Sequence, residues 1–193
     1  RHALAVTRIA GGTAAKELLR PGDLVLAVDG DVVNTFRELE RATQKAAVDL
    51  TIWRDGKEQH VLVATRVISG EGIGRALMWA GAILQEPHRA VAMQRGIDPT
   101  GVYVAFFNYG SPATRYGLRG GRRIIEVDGQ PTPDLDSFIQ AVSGKQHRES
   151  VRLKTVNFNE AIEVTTLKMD LHYWPAYEIK RTADGWQRMA VGG

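Results

Sequence analysis

Ser111 is the residue of this chain whose type and setting come nearest to supporting nucleophilic chemistry. A serine nucleophile needs a histidine base and an oxyanion hole beside it. The sequence contains neither a Gly-Asp-Ser-Gly-Gly run nor a Gly-x-Ser-x-Gly elbow. Ser111 instead stands in "GSPA", where its hydroxyl is suited to cap the first turn of a helix. We therefore predict a helix cap here and no catalytic residue.

Histidines and glycine-rich loops are the other features that could hold a metal or a cofactor. The five histidines show no His-x-His or His-Glu-x-x-His spacing, and cysteine is absent. The run "SGEGIGRA" (69–76) has glycines but lacks the Lys-Ser/Thr of a phosphate loop, which favours a linker between domains. The sequence predicts neither a metal nor a cofactor. The histidines are His2, His60, His88, His147 and His172.

Composition limits the classes of partner. The 193 residues carry a formal charge of only +3, and basic residues alternate with acidic ones, so a nucleic-acid partner is not expected. No apolar run approaches the roughly 20 residues that a membrane-spanning helix needs, so we expect no membrane span. The chain begins with Arg1, and we interpret it as a piece of a longer protein.

An internal repeat positions these residues. "LLRPGDLVLAVDGDVV" (18–33) matches "GLRGGRRIIEVDGQPT" (117–132), and helical and paired-strand patterns follow each copy in the same order. Asp55-Gly56 is a strong two-residue hairpin signal in the first copy. The repeat predicts an α+β, β-dominated fold of two tandem, partly open barrels with two helices each. The predicted domains are 1–68 and 69–170, followed by an extension over 171–193.

The repeated motifs resemble the PDZ domains of HtrA (DegP-like) serine proteases. The resemblance rests on "GTAAKELLRPGDLVLAVDG" in the first copy and on "GSPATRYGLRGGRRIIEVDG" in the second. The second half is also similar to long-form HtrA-like proteases. The resemblance implies a C-terminal pair of PDZ domains, and a parent protein with a trypsin-like serine endopeptidase activity that lies outside this segment.

A PDZ domain binds an extended peptide, usually a C-terminus, as an added strand at a sheet edge. The resemblance implies that the amides of Ala80, Gly81 and Ala82 receive the peptide carboxylate and that Ala82 to Leu84, through Ile83, form the edge strand. Trp79 precedes this loop, and a buried strand with Trp79 in the core is the alternative. The predicted peptide-binding residues are Trp79, Ala80, Gly81, Ala82, Ile83, Leu84 and Ile139.

The second helix of each copy forms the far wall of such a groove. Leu135 and Phe138 match Phe36 and Leu39 of the first copy, so both pairs are predicted to be core residues. Ile139 lies about 100° around the helix from Phe138, where it either lines the groove or marks the margin of the core. The first copy has only two residues ahead of its "ALAVT" strand, so we expect a competent groove in the second copy alone.

The C-terminal extension contains "TADG", a hairpin signal, and four aromatic residues that are too many to leave in water. We expect it to dock on the second unit, with covering of the groove or an oligomer contact as alternatives. The aromatic residues are Tyr173, Trp174, Tyr177 and Trp186.

Two functions are compatible with these features of the sequence. The first is recognition of peptide or protein C-termini, which would regulate the protease domain of the same parent chain. The alternative is a degenerate pair of domains that acts as a structural or oligomerisation spacer, with a homo-oligomer as the possible partner. The compartment stays open, and would be periplasmic for a bacterial HtrA-like protein.

Overall fold

A computed structural model describes residues 3–67 and 72–191 of the chain. It divides into two compact units, which are described separately below. The first unit comprises residues 3–67 together with 89–98, and the second comprises 72–88 together with 99–191. The predicted boundary between 68 and 69 falls outside the described residues.

Fourteen strands and five helices are assigned in the described residues. The strands are β1 (Leu4–Ala5), β2 (Leu24–Val28), β3 (Asp31–Val32), β4 (Ala47–Arg54), β5 (Lys57–Ala64), β6 (Arg75–Trp79), β7 (Ala82–Gln85), β8 (Val102–Phe107), β9 (Arg123–Val127), β10 (Gln130–Pro131), β11 (Ser150–Val156), β12 (Ile162–Lys168), β13 (Tyr177–Thr182) and β14 (Gly185–Ala190). The helices are α1 (Ala14–Leu18), α2 (Phe36–Ala42), α3 (Arg89–Arg95), α4 (Pro112–Arg115) and α5 (Leu135–Val142). The α+β, β-dominated class is confirmed.

The first unit is an antiparallel sheet in the order β1-β2-β4-β5, with β3 paired to β2. Alternate residues of β2 and β4, such as Val25, Leu50 and Ile52, form its core. Asp55-Gly56 makes the predicted two-residue turn between β4 and β5, since both residues have positive φ (51° and 76°). Helix α3 groups with this unit, and the Arg8 guanidinium donates a hydrogen bond to the Gln94 carbonyl.

The second unit is one antiparallel sheet in the order β12-β11-β9-β8-β7-β6-β13-β14, with β10 paired to β9. Its core lies between this sheet and α5. Neither sheet closes into a barrel within the described residues. The two sheets are therefore open, and the number of PDZ-like domains remains a prediction from the repeat.

The repeated Val-Asp-Gly corner has the same backbone conformation and makes the same hydrogen bond in both units. Asp29 and Asp128 have nearly equal positive φ values (50° and 49°). Each Oδ1 accepts a backbone N–H from the facing strand at 2.8 Å, from Asp49 in the first unit and from Arg152 in the second. Lys45 pairs with Asp29, and Lys145 has the same role at Asp128. The repeat thus encodes a clamp between a turn and a neighbouring strand.

The copies differ in the turn before β2 and β9, where the first copy has Asp23 and the second has Arg122. The Asp23 carboxylate is buried and accepts two hydrogen bonds from Arg54, at 2.7 and 2.6 Å. The Arg54 guanidinium lowers the pKa of this carboxyl group. Arg122 instead pairs with Glu163 and donates to the Thr155 hydroxyl. In each unit, the charged residue at this position has an oppositely charged partner on a strand of the same unit.

Candidate functional site

Ala80 and Gly81, predicted to hold a carboxylate, form the two-residue turn between β6 and β7. Both have positive φ (50° and 79°), as a type I′ hairpin turn requires. The Ala80 carbonyl accepts a hydrogen bond from the Ala113 N–H at 2.9 Å, and the Gly81 carbonyl accepts one from the Asn108 N–H at 2.8 Å. The turn is therefore tied to the start of α4.

This turn is packed inside the second unit. Ala80 and Gly81 are both buried. A Cβ added at Gly81 would lie 2.2 Å from the Ser111 Cβ and 3.0 Å from a ring atom of Trp174. Ser111 is also the predicted helix cap, since its Oγ accepts the Thr114 N–H at 3.3 Å. The predicted carboxylate loop is thus covered by the helix cap and by the C-terminal extension.

The prediction that Ala82 to Leu84 form an open edge strand is wrong. Leu84 pairs with Leu77 of β6 on one side and with Val104 of β8 on the other. The physical reason is that the apolar run "RALMW" forms a strand of its own, and the Ala80-Gly81 turn folds it back onto β7. The sequence pattern places the first two residues of this strand, Arg75 and Ala76, in the linker. Ile83 is half-buried within the doubly paired strand β7.

Trp79 belongs to the core, as the alternative interpretation proposed. Its ring packs edge-on against Phe138 of α5, with centroids 5.2 Å apart and planes at 88°. Leu77 on the same face of β6 is equally buried. β6 therefore lies beside α5, where the sequence predicts an added peptide strand.

Helix α5 is fixed by its cap and by its buried face. Asp134 caps it by accepting the Ser137 N–H at 2.8 Å. Leu135 and Phe138 are fully buried, as predicted, whereas Ile139 is half-buried and packs against the core. Ile139 thus occupies the core margin, which is the second of its two predicted roles.

The matching helix α2 has a different environment. Phe36, predicted to be core, is 70% exposed, and Leu39 is half-buried. The core prediction for Phe36 is wrong for the described residues. In the second unit, β7 and β6 continue the sheet beyond β8, and Trp79 of β6 packs against α5. In the described part of the first unit, the second helix therefore carries an exposed apolar residue.

The C-terminal extension forms the predicted hairpin, and its first strand pairs with β6. Tyr177 pairs with Met78, and Glu178 pairs with Leu77. Arg75 of β6 forms ion pairs with Glu178 and with Asp136 of α5. The Arg75 guanidinium lowers the pKa of the Asp136 carboxyl group. The extension therefore closes the free side of β6.

Not all the aromatic residues of the extension are covered. Trp174 and Tyr177 are half-buried, whereas Tyr173 is 75% exposed and Trp186 is 57% exposed. The expectation that these residues are removed from water holds only for the first two. Trp186 lies on β14, the strand at the end of the sheet.

The sequence repeat and the Val-Asp-Gly corner relate the two β-dominated units to each other. Sequence comparison matches this chain to a part of much longer serine proteases. Protease Do-like 7 of Arabidopsis thaliana is 40% identical over 191 residues, covering 93% of this chain. The pro-apoptotic serine protease nma111 of Neosartorya fischeri is 35% identical over 175 residues, covering 89% of it. The chain spans only 17% of the length of each relative.

No family model matches the chain. A solved structure described as HtrA-type protease AlgW with decapeptide overlaps 77% of this chain and 54% of that one, with a TM-score of 0.43 and 17% identity. The described residues contain no group of three or more histidine, aspartate or glutamate side chains placed to hold a metal ion. No helix among them has the length and hydropathy needed to cross a membrane.

Proposed function

We propose that this chain is the PDZ region of an HtrA-like serine endopeptidase and that it receives extended peptides by strand addition. The acceptor is the face of α2 in the first unit that exposes Phe36, and the peptide is added as a strand beside this helix. This differs from the site at 78–84 that the sequence predicts, since both sides of β7 are occupied. Bound peptides would regulate the protease domain of the parent chain.

The observation that supports this site is the contrast between α2 and α5. Leu135 is fully buried in the second unit, while Phe36 at the matching position of the first unit is exposed. In the second unit, Trp79 of β6 packs against Phe138 of α5. A peptide strand beside α2 would cover Phe36 in the same way.

Such binding would be weak. About four backbone hydrogen bonds contribute about 0.5–1.5 kcal/mol each, and one buried apolar side chain adds about 1.5–3 kcal/mol. Association costs at least about 4 kcal/mol. The difference is at most about 5 kcal/mol, which corresponds to a dissociation constant of about 0.2 mM or above.

A fluorescence-anisotropy titration of labelled C-terminal peptides tests the proposal. We expect Phe36→Ser to weaken binding at least about tenfold, because it removes the apolar contact. Leu62→Ser is the matched control, since Leu62 is equally exposed but lies on strand β5 and not on α2. Equal binding by both variants would contradict the site at α2. A substitution at Gly81, in the predicted carboxylate loop, would not test peptide binding, because that position is tightly packed and the change would disturb the fold.

A structural spacer is the second candidate function. It is favoured by a separate observation, namely that the chain's own strands close both sides of β7 and that β13 closes β6. If no peptide binds and sedimentation shows a concentration-dependent dimer, the spacer is the better description and the chain contributes to assembly of the parent.

A further inference from the structure

A cavity of about 650 Å³ lies in the second unit, away from α5. It is formed by α4, by the loop before β11 and by the end of β12. Arg115, Arg148 and Lys168 reach it from these three elements. The Arg148 N–H donates to the Met169 carbonyl at 2.9 Å, which holds the loop against the strand end. Three separate segments thus bring three cations to one concave surface.

These cations have no acidic partner in the described part of the chain. Several other cations of the second unit have acidic partners, as Arg122 has Glu163 and Lys154 has Glu126. Among the described residues that line the cavity, Asp170 is the one carboxylate, and it accepts the Tyr173 N–H at 3.2 Å. Three cations and one carboxylate leave a formal excess of two positive charges. The cavity therefore favours a dianion.

The cavity also has flat and apolar side chains. Tyr116, Tyr173 and the buried Met169 line it. The Tyr173 ring contacts the His172 ring edge-on, with centroids 4.6 Å apart. The volume of about 650 Å³ falls in the range of small-molecule sites.

Arg148 also has an unusual backbone conformation. Its φ is 68°, in the left-handed region that non-glycine residues rarely adopt. A non-glycine residue held in this region costs free energy, and such residues concentrate at ligand sites. The loop conformation directs a cation into the cavity at this cost.

We propose that this cavity binds a phosphate monoester that carries an aromatic or similarly flat group. The guanidinium groups of Arg115 and Arg148 and the Lys168 ammonium group contact the phosphate oxygens. The tyrosine rings pack against the organic group. The residues of this site belong to the second unit, whereas the proposed peptide site at α2 belongs to the first.

The test is a two-dimensional NMR titration of the full chain with phenyl phosphate, inorganic phosphate and phenol. We expect saturable shifts of the amides around Met169 and Tyr116 with both phosphates. Phenyl phosphate should bind several-fold more tightly than inorganic phosphate, because the ring adds apolar contact. Phenol alone should bind at least about tenfold more weakly, because it lacks the dianion.

The matched variants each remove two positive charges from the second unit. Arg115→Gln with Lys168→Gln should weaken phenyl phosphate binding at least about tenfold. Arg119→Gln with Arg181→Gln should leave it unchanged, since neither residue lines the cavity. Equal weakening in both double variants, or no saturable shift at millimolar concentration, would overturn the proposal. Equal affinity for inorganic and phenyl phosphate would overturn the role of the aromatic walls.

Discussion

Replacement of Gly81 by alanine should destabilise the second unit much more than the same replacement at Gly110. The two glycines have the same positive φ of 79°. A Cβ at Gly81 would lie 2.2 Å from the Ser111 Cβ, whereas a Cβ at Gly110 meets no atom within 4 Å. The pair therefore separates the cost of the backbone conformation from the cost of packing.

The expected magnitudes follow from these two terms. An alanine in the left-handed region costs about 1–2 kcal/mol, and both variants share this cost. The close approach at Gly81 requires the Ser111 backbone to move, because a Cβ cannot rotate away. Overpacking of this kind costs about 1–3 kcal/mol. Gly81→Ala should thus lower the free energy of unfolding by about 2–5 kcal/mol, and Gly110→Ala by about 1–2 kcal/mol.

Hydrogen exchange measured by NMR is the suitable assay, because a chain of two units need not unfold in one transition. Amides of β8 and β9 report on the second unit, and amides of β2 and β4 report on the first. Only the former should lose protection in Gly81→Ala. The double variant with Ser111→Gly should show a coupling of at least about 1 kcal/mol, since it removes the clashing Cβ.

Equal losses of protection in the two glycine variants would refute the tight packing of the β6–β7 turn. Such a result would also reopen the sequence prediction for 78–84, because a turn that tolerates a side chain need not be covered by Ser111. If the effects of Gly81→Ala and Ser111→Gly were simply additive, the result would likewise refute a close contact between these two residues.

Three further predictions concern the cores of the two units. Asp23→Asn should lower the free energy of unfolding of the first unit by about 1–3 kcal/mol in urea titrations, because it removes the charged partner of Arg54. Asp31→Asn is the control, since Asp31 lies on the exposed strand β3, and it should change this free energy little. The pKa of Asp23 is lower in the folded state than in the unfolded chain. The ionised Asp23 therefore stabilises the first unit above about pH 4, the unfolded pKa, and this stabilisation is lost as the pH falls through the folded pKa. If the stability of the wild type fell no more steeply in acid than that of Asp23→Asn, the result would contradict this. Phe138→Ala should lower the free energy of unfolding by about 3–5 kcal/mol and Phe36→Ala by less than about 1 kcal/mol, although the two residues lie on equivalent helices. Equal decreases of the thermal unfolding temperature in the two variants would contradict the difference in burial.

Local sequence signals predict the turns and the repeated corners well. Asp55-Gly56 forms the expected turn because its residue types favour positive φ without any help from the rest of the chain. Ala80-Gly81 adopts the same backbone conformation, but alanine gives no such signal. Packing of the turn against α4 provides what the sequence lacks. This is why the sequence predicts a binding loop at 80–82, where the structure has a hairpin turn.

Strand pairing over long distances is the part that local patterns could not provide. β6 pairs with β13, and Leu77 and its partner Glu178 are separated by most of the second unit. The run "RALMW" is compatible with an edge strand, a linker end or a central strand, since the residues that cover it come from elsewhere. The cationic cavity has no local signal for the same reason, because Arg115, Arg148 and Lys168 are distant in sequence.

The two copies show why a repeated motif supports a fold more firmly than a function. Asp29 and Asp128 make equivalent clamps, so the motif itself has one structural role in both units. The side chains at Phe36 and Leu135 occupy matching helix positions but have opposite exposure. In the second unit, strands outside the motif extend the sheet, and one of them packs against the helix. Binding at a sheet edge depends on those flanking strands, and so two copies of one motif can have different capacities to accept a peptide.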